Sequence, residues 1–220
     1  MSIKLLISGL TNSGKTTLTK NLRDSLVISH DGKKYPFSTP HASISTFSTT
    51  DDLVEFVTSK IEAYNDKYGS YPQTIVFDSV SRIFDTLSDA CNTKFSGFTI
   101  YSELDKNIKK FTSFIEDSLI ASGMNVIILS HATYDSEESK YYLVGKGSFN
   151  KIGGFLSVVD YALFIELKAN KRIIHFRSTK FPARTLQETD PDSMDVADFN
   201  LSDYVNYLSE VSTDVDEYSL

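Results

Sequence analysis

Four apolar runs punctuate the chain, and within them hydrophobic residues follow one another without polar alternation: "IKLLISG" (3–9), "SLVIS" (25–29), "TIVFDS" (74–79) and "NVIILSH" (125–131). A strand covered on both faces has this pattern, so each run predicts a buried strand. "ASISTF" (42–47) predicts a further strand, with "HDGKKYP" (30–36) as the turn before it. Between the runs the period changes to that of a helix. "GKTTLTKNLRDS" (14–25) follows the first run as a helix, and residues 49–69 place Leu53, Val54, Val57 and Ile61 on one stripe behind Thr50 as the expected N-cap. Residues 101–122 repeat the pattern at Leu104, Ile108, Phe111, Ile115 and Leu119. "DYALFIEL" (160–167) and "RIIHFRS" (172–178) predict a hairpin about the turn "KANK". Buried strands alternating with amphipathic helices predict an α/β fold: a mostly parallel central sheet with helices on both faces and a C-terminal β-hairpin. The stretch 135–155, "DSEESKYYLVGKGSFNKIGGF", reads as a long Gly- and Lys-bearing loop.

Charge divides the chain where hydrophobicity does not. The net charge is −7, yet all 22 Lys and Arg residues lie within residues 1–185, and residues 186–220 carry ten acids and no base. The expected organisation is one core domain over 1–185 and an acidic segment over 186–220, partly helical or disordered. No apolar run reaches the roughly 20 residues of a membrane helix, and "FLSVVDYALFIEL" is interrupted by Asp160. The expectation is a soluble, cytoplasmic protein without a membrane partner. The single cysteine, Cys91, reads as a small buried thiol.

Chemistry enters at "GLTNSGKT" (9–16), which matches G-x-x-x-x-G-K-[ST] in full between a strand and a helix. Gly9 and Gly14 let the backbone through Leu10, Thr11, Asn12 and Ser13 curl so that its N–H groups face an anion. Lys15 is placed for the β- and γ-phosphates, the Thr16 hydroxyl for Mg²⁺ and Thr17 for the α-phosphate. ATP and Mg²⁺ are therefore the expected ligands. Asp78 ends an apolar strand, where a carboxylate completes the metal shell. Residue 79 is Ser, not the Glu that serves as base in many helicases and AAA+ ATPases. No N-K-x-D reads guanine, and the five arginines are too scattered for the phosphate clamp of a small-molecule kinase.

With "IVFDS", "VIILSH", the Gly/Lys loop, the hairpin and K-x-x-x-R (180–184) in place, the chain resembles the RecA-type P-loop ATPase core over residues 3–185. In particular it is similar to the short, core-only RecA relatives of bacteriophages, AAA-type nucleotide-binding proteins of which some are single-strand annealing recombination proteins. The resemblance implies that His131 senses the γ-phosphate, although a histidine satisfied by backbone groups would stand in the same place. It implies DNA contact in the loop that follows, through Lys140, Lys146, Lys151 and Phe149, with Tyr141 and Tyr142 beside them. It implies that Lys180 and Arg184 act on the nucleotide of a neighbouring subunit. The family's catalytic Glu has no counterpart after "SLVIS". Asp31 either polarises the attacking water or ends the strand as a turn residue before Gly32.

The function expected from these readings is an ATP- and Mg²⁺-binding protein that assists homologous recombination or strand annealing, with slow or DNA-dependent hydrolysis. Its expected partners are single-stranded DNA, further copies of the chain in a ring or filament, and a single-strand-binding protein. The alternatives are a nucleotide or nucleoside kinase, with 135–155 as its lid, and a nucleotide-switched replication adaptor docked through its acidic segment.

Overall fold

A computed structural model describes residues 1–30, 32, 34–147, 149 and 153–211. Nine strands among them form one sheet in the order β3-β2-β4-β5-β1-β7-β8-β9, with β6 paired to the end of β5. The strands are β1 (Lys4–Gly9), β2 (Ser25–Ser29), β3 (His41–Ser43), β4 (Thr74–Asp78), β5 (Asn125–Asp135), β6 (Lys140–Leu143), β7 (Tyr161–Lys168), β8 (Lys171–His175) and β9 (Ser193–Asp195). Every pairing from β3 to β7 is parallel, and β6, β8 and β9 pair antiparallel. The α/β class, with helices on both faces, is the one expected.

Side chains that alternate along each strand explain why the runs are apolar throughout. Leu6, Ile75, Phe77, Val126 and Ile128 enter the core under helices α2 (Thr50–Tyr68), α3 (Val80–Lys94) and α4 (Phe98–Phe114). Leu5, Ile7, Val76, Ile127 and Leu129 point the other way, toward helix α5 (Leu201–Val211), whose Leu201, Val205 and Leu208 complete a second core. The helix after β1, α1, is a single turn (Lys15–Leu18) followed by a 3₁₀ turn over Thr19–Asn21, shorter than the pattern suggested.

Several boundaries differ from expectation for local reasons. Thr49, not Thr50, caps α2: its backbone is extended, its hydroxyl accepts from Asp52 N–H, and Asp52 reaches back to its N–H. The Thr50 hydroxyl instead donates to Asn107 O at 2.8 Å. α3 is an additional element, with Val80, Ile83, Phe84, Leu87 and Cys91 buried at helical spacing. The helix expected at 101–122 begins at Phe98, and a π-helical segment, Ile115–Ile120, closes it. Part of the expected 135–155 loop is hairpin: Ala132 to Asp135 pair with Leu143 to Lys140. The β7–β8 hairpin is confirmed, with Lys168 opposite Lys171 and a two-residue turn at Ala169 and Asn170. Within the acidic segment, β9 extends the sheet beside β8 and α5 packs on the core, so residues 193–211 belong to the fold.

No helix among the described residues is long and apolar enough to cross a membrane.

Candidate functional site

The parallel sheet brings the C-terminal ends of β1, β4 and β5 to one edge. β5 lies between the other two, with Gly9 opposite His131 and Asp78 opposite Leu129. Residues far apart in the chain, Gly9, Asp78 and His131, therefore converge within one cleft, as ligand sites in open α/β sheets do.

The loop leaving β1 is as compact as its glycines allow. A Cβ on Gly9 would stand 2.6 Å from Ser13 Oγ and 2.7 Å from Ile165 O, so no larger residue fits. Gly14 is left-handed (φ 100°) and starts α1. Lys15 is buried, and its ammonium donates to Gly9 O and Leu10 O at 2.9 Å each, curled back over the loop it follows. The Thr16 hydroxyl donates to Asp78 Oδ2 at 2.8 Å, which joins the start of α1 to the end of β4. Ser13 Oγ is buried and has no hydrogen-bond partner among the described residues.

These features lie in a cleft of about 390 Å³ lined by Thr11, Asn12, Gly14, Lys15, Thr16, Thr17, Asp78 and His131. Five further residues that sequence reasoning passed over line it: Ser29 at the end of β2, Lys34, Tyr35 and Pro36 from the segment after it, and Arg172 from β8. The Tyr35 hydroxyl lies 3.3 Å from Thr19 Oγ1. Burial pushes its phenol well above the ordinary range, and the neighbouring Asp78 carboxylate adds to the shift. Tyr35 therefore remains a neutral donor beside Asp78. His131 is held at the cleft by its backbone N–H, which donates to Ser81 Oγ at 3.0 Å, and the Ser81 and Ser130 hydroxyls lie 3.2 Å apart.

The donor set fits a nucleoside triphosphate with Mg²⁺. A backbone cradle that tolerates no Cβ at Gly9 suits an anion, and Thr16 with Asp78 would supply hard oxygen ligands to a small divalent ion. Bound there, the metal would neutralise phosphate charge.

A comparison with protein families matches residues 1–185 to the model described as AAA domain. The chain belongs to the AAA domain family. Residues 1–185 are thus a nucleotide-binding AAA domain of P-loop ATPase type, in accord with the cleft. No curated protein matches the chain.

The remaining predicted residues of this AAA domain are distributed unevenly. Asp31 and Lys151 lie outside the described residues. Lys140 is exposed on β6. Lys146 pairs with Asp85 at 3.0 Å, which ties its segment to α3. Phe149 requires a correction, because its ring is buried edge-on to Phe84 and Phe155, at 5.9 and 5.2 Å between centroids. It is part of the core and offers no face to a base. Lys180 and Arg184 do not line the cleft of their own chain. Lys180 lies over the rings of Tyr141 and Phe181 at 5.9 and 5.2 Å. Arg184 is exposed, pairs its backbone with Ala162 and donates from its guanidinium to Val159 O.

Proposed function

We propose that this AAA domain binds single-stranded DNA in response to ATP and Mg²⁺ and serves recombination or strand annealing. One observation carries the reading: β5 is continuous from the nucleotide cleft into an aromatic-bearing hairpin. His131 lines the cleft, and three residues further along the same strand Tyr134 is exposed. Across the hairpin stand Lys140, Tyr141 and the exposed Tyr142, and the Lys180 ammonium lies over Tyr141. Rings on which bases stack and lysines that neutralise phosphates are what single-strand binding needs. A strand shared by cleft and hairpin gives the nucleotide a physical route to that surface.

Exposure of Lys180 and Arg184 away from their own cleft favours their action on the nucleotide of a second copy in a ring or filament. Mixing tests this. A Lys15→Ala chain keeps both cations and lacks a phosphate site, and an Arg184→Ala chain has the reverse defect. ATP-driven assembly absent from each alone should partly return in the mixture.

The experiment for the main reading measures single-stranded DNA affinity by fluorescence anisotropy, with and without ATP and Mg²⁺. Nucleotide should tighten binding. Lys140→Glu should weaken binding and flatten its salt dependence by roughly 0.7 in log–log slope for each lost phosphate contact. DNA affinity indifferent to nucleotide, or a Lys140→Glu chain with the parental salt slope, overturns the reading.

A further inference from the structure

We infer that Arg172 is a nucleotide-binding residue that grips the nucleoside-proximal end of the phosphate chain, from within the same subunit. The inference rests on the nucleotide-binding reading of the cleft and extends it to a residue on the opposite flank from Asp78.

The sheet places Arg172 over the P-loop. β7 runs parallel to β1 with Ile165 level with Gly9, and the β7–β8 hairpin continues beyond that level, with Leu167 opposite Arg172. Two residues of strand rise about 7 Å, so the hairpin end overhangs the loop that leaves β1. The Arg172 side chain then turns back onto it. A Cβ built on Gly14 would meet Arg172 Nε at 3.1 Å and Cδ at 3.2 Å. The guanidinium therefore lies against the last glycine of the cradle, in a cleft whose described lining residues include the cations Lys15, Lys34 and Arg172 and the carboxylate Asp78. Among the described residues Arg172 has no carboxylate within ion-pair distance, although Asp195 and Lys171 of the neighbouring register lie 4.0 Å apart. An arginine held on a β-hairpin against an anion cradle, without an acidic partner among the described residues, has its donors available to an anion.

Strand order decides which end of the ligand it meets. Asp78 stands at the end of β4, two strands from β1 on one side, and Arg172 stands on β8, two strands from β1 on the other. Thr16 and Asp78 mark the metal side of the cleft, where the terminal phosphates belong. A phosphate chain seated in the cradle then extends toward Arg172 at its other end, where the α-phosphate joins the nucleoside. Arg172 should accordingly contribute equally to ATP and ADP, which share that end.

Calorimetric titration of the full chain with ATP and with ADP, each with Mg²⁺, tests this. The chains compared are the parent, Arg172→Gln, Arg172→Lys and Lys15→Met. Arg172→Gln should lose about tenfold in affinity for both nucleotides, the loss expected for one hydrogen bond to an ionised group. The ATP-to-ADP ratio should stay constant, and the salt dependence of ADP binding should become shallower. Arg172→Lys should recover part of the affinity, since it restores charge without the fork. Arg172→Gln that binds ADP within twofold of the parent overturns the inference, and so does a loss confined to ATP, which would place the guanidinium at the terminal phosphate. A parent chain that binds neither nucleotide, or a Lys15→Met chain that binds as the parent does, removes the underlying nucleotide reading instead.

Discussion

Lys15→Met isolates the charge of the P-loop lysine, because methionine keeps most of the stem and removes the ammonium. In the folded chain that ammonium is buried and donates to Gly9 O and Leu10 O at 2.9 Å. Two opposing terms then set the cost to stability. The two hydrogen bonds are lost, but so is the penalty of desolvating an ammonium. Leu10 is 39% exposed, so water reaches its freed carbonyl, whereas the Gly9 carbonyl stays buried and adds to the cost. We expect these terms to cancel to within about 1 kcal/mol, a change of roughly 2–4 °C in melting temperature for a chain of this size. Binding has no such compensation. On taking up a triphosphate the ammonium gains ionised oxygens as acceptors, and a hydrogen bond to a charged group contributes about 1.5–3 kcal/mol. With contacts to two phosphates, a net loss of about 3 kcal/mol gives roughly a hundredfold weaker ATP binding. The assay pairs a thermal melt with titration of a fluorescent ATP analogue. A Lys15→Met chain that melts with the parent and binds ATP within threefold of it would refute the assignment of phosphate to this loop.

Asp78→Asn should preserve the fold, since the amide oxygen still accepts from Thr16, but it should weaken Mg²⁺-dependent ATP binding and leave metal-free binding unchanged or tighter, as seen by titration with and without a chelator. Tyr204→Phe should lower the melting temperature by roughly 4–8 °C, because its hydroxyl donates to buried Asp190 Oδ2 at 2.7 Å and a bond to a carboxylate there is worth about 2 kcal/mol. Burial, reinforced by Asp190, raises the Tyr204 phenol above its ordinary value, so its contribution is complete below about pH 10 and is lost as pH rises beyond it. The parent should therefore lose stability above that pH more steeply than Tyr204→Phe in denaturant titrations at several pH values. Thr49→Ala should cost about 1 kcal/mol by removing the cap of α2, and a melt unchanged from the parent would deny Thr49 the capping role.

The cradle was legible because its chemistry is contiguous. Eight successive residues contain the glycines that permit the curl, the lysine and the hydroxyl, and the apolar run before them identifies the strand from which they emerge. Asp78 was legible for a related reason: an apolar strand that ends in a carboxylate must deliver it to the sheet edge. The stripe of α3 was also present in the sequence, at Val80, Ile83, Phe84, Leu87 and Cys91, and went unread beside the stronger motif. The cap of α2 was not legible to the residue, because Thr49 and Thr50 differ only in backbone conformation.

Local chemistry is written in contiguous residues: a P-loop between strand and helix, a carboxylate at a strand end, and a neutral-to-basic body followed by acids. Tertiary structure alone decided what shares space with that loop. Arg172 is 158 residues from Gly14, and only the parallel pairing of β7 with β1 and the length of the following hairpin lay it against the cradle. Tyr35 reaches Asp78 because β2 and β4 are neighbours. Phe149, a ring in a Gly- and Lys-rich stretch, faces the core because Phe84 and Phe155 leave space for it there. The physical reason is that hydrogen-bonding capacity and charge belong to a residue, while proximity across the chain is set by strand order and register, to which no short stretch of sequence is bound.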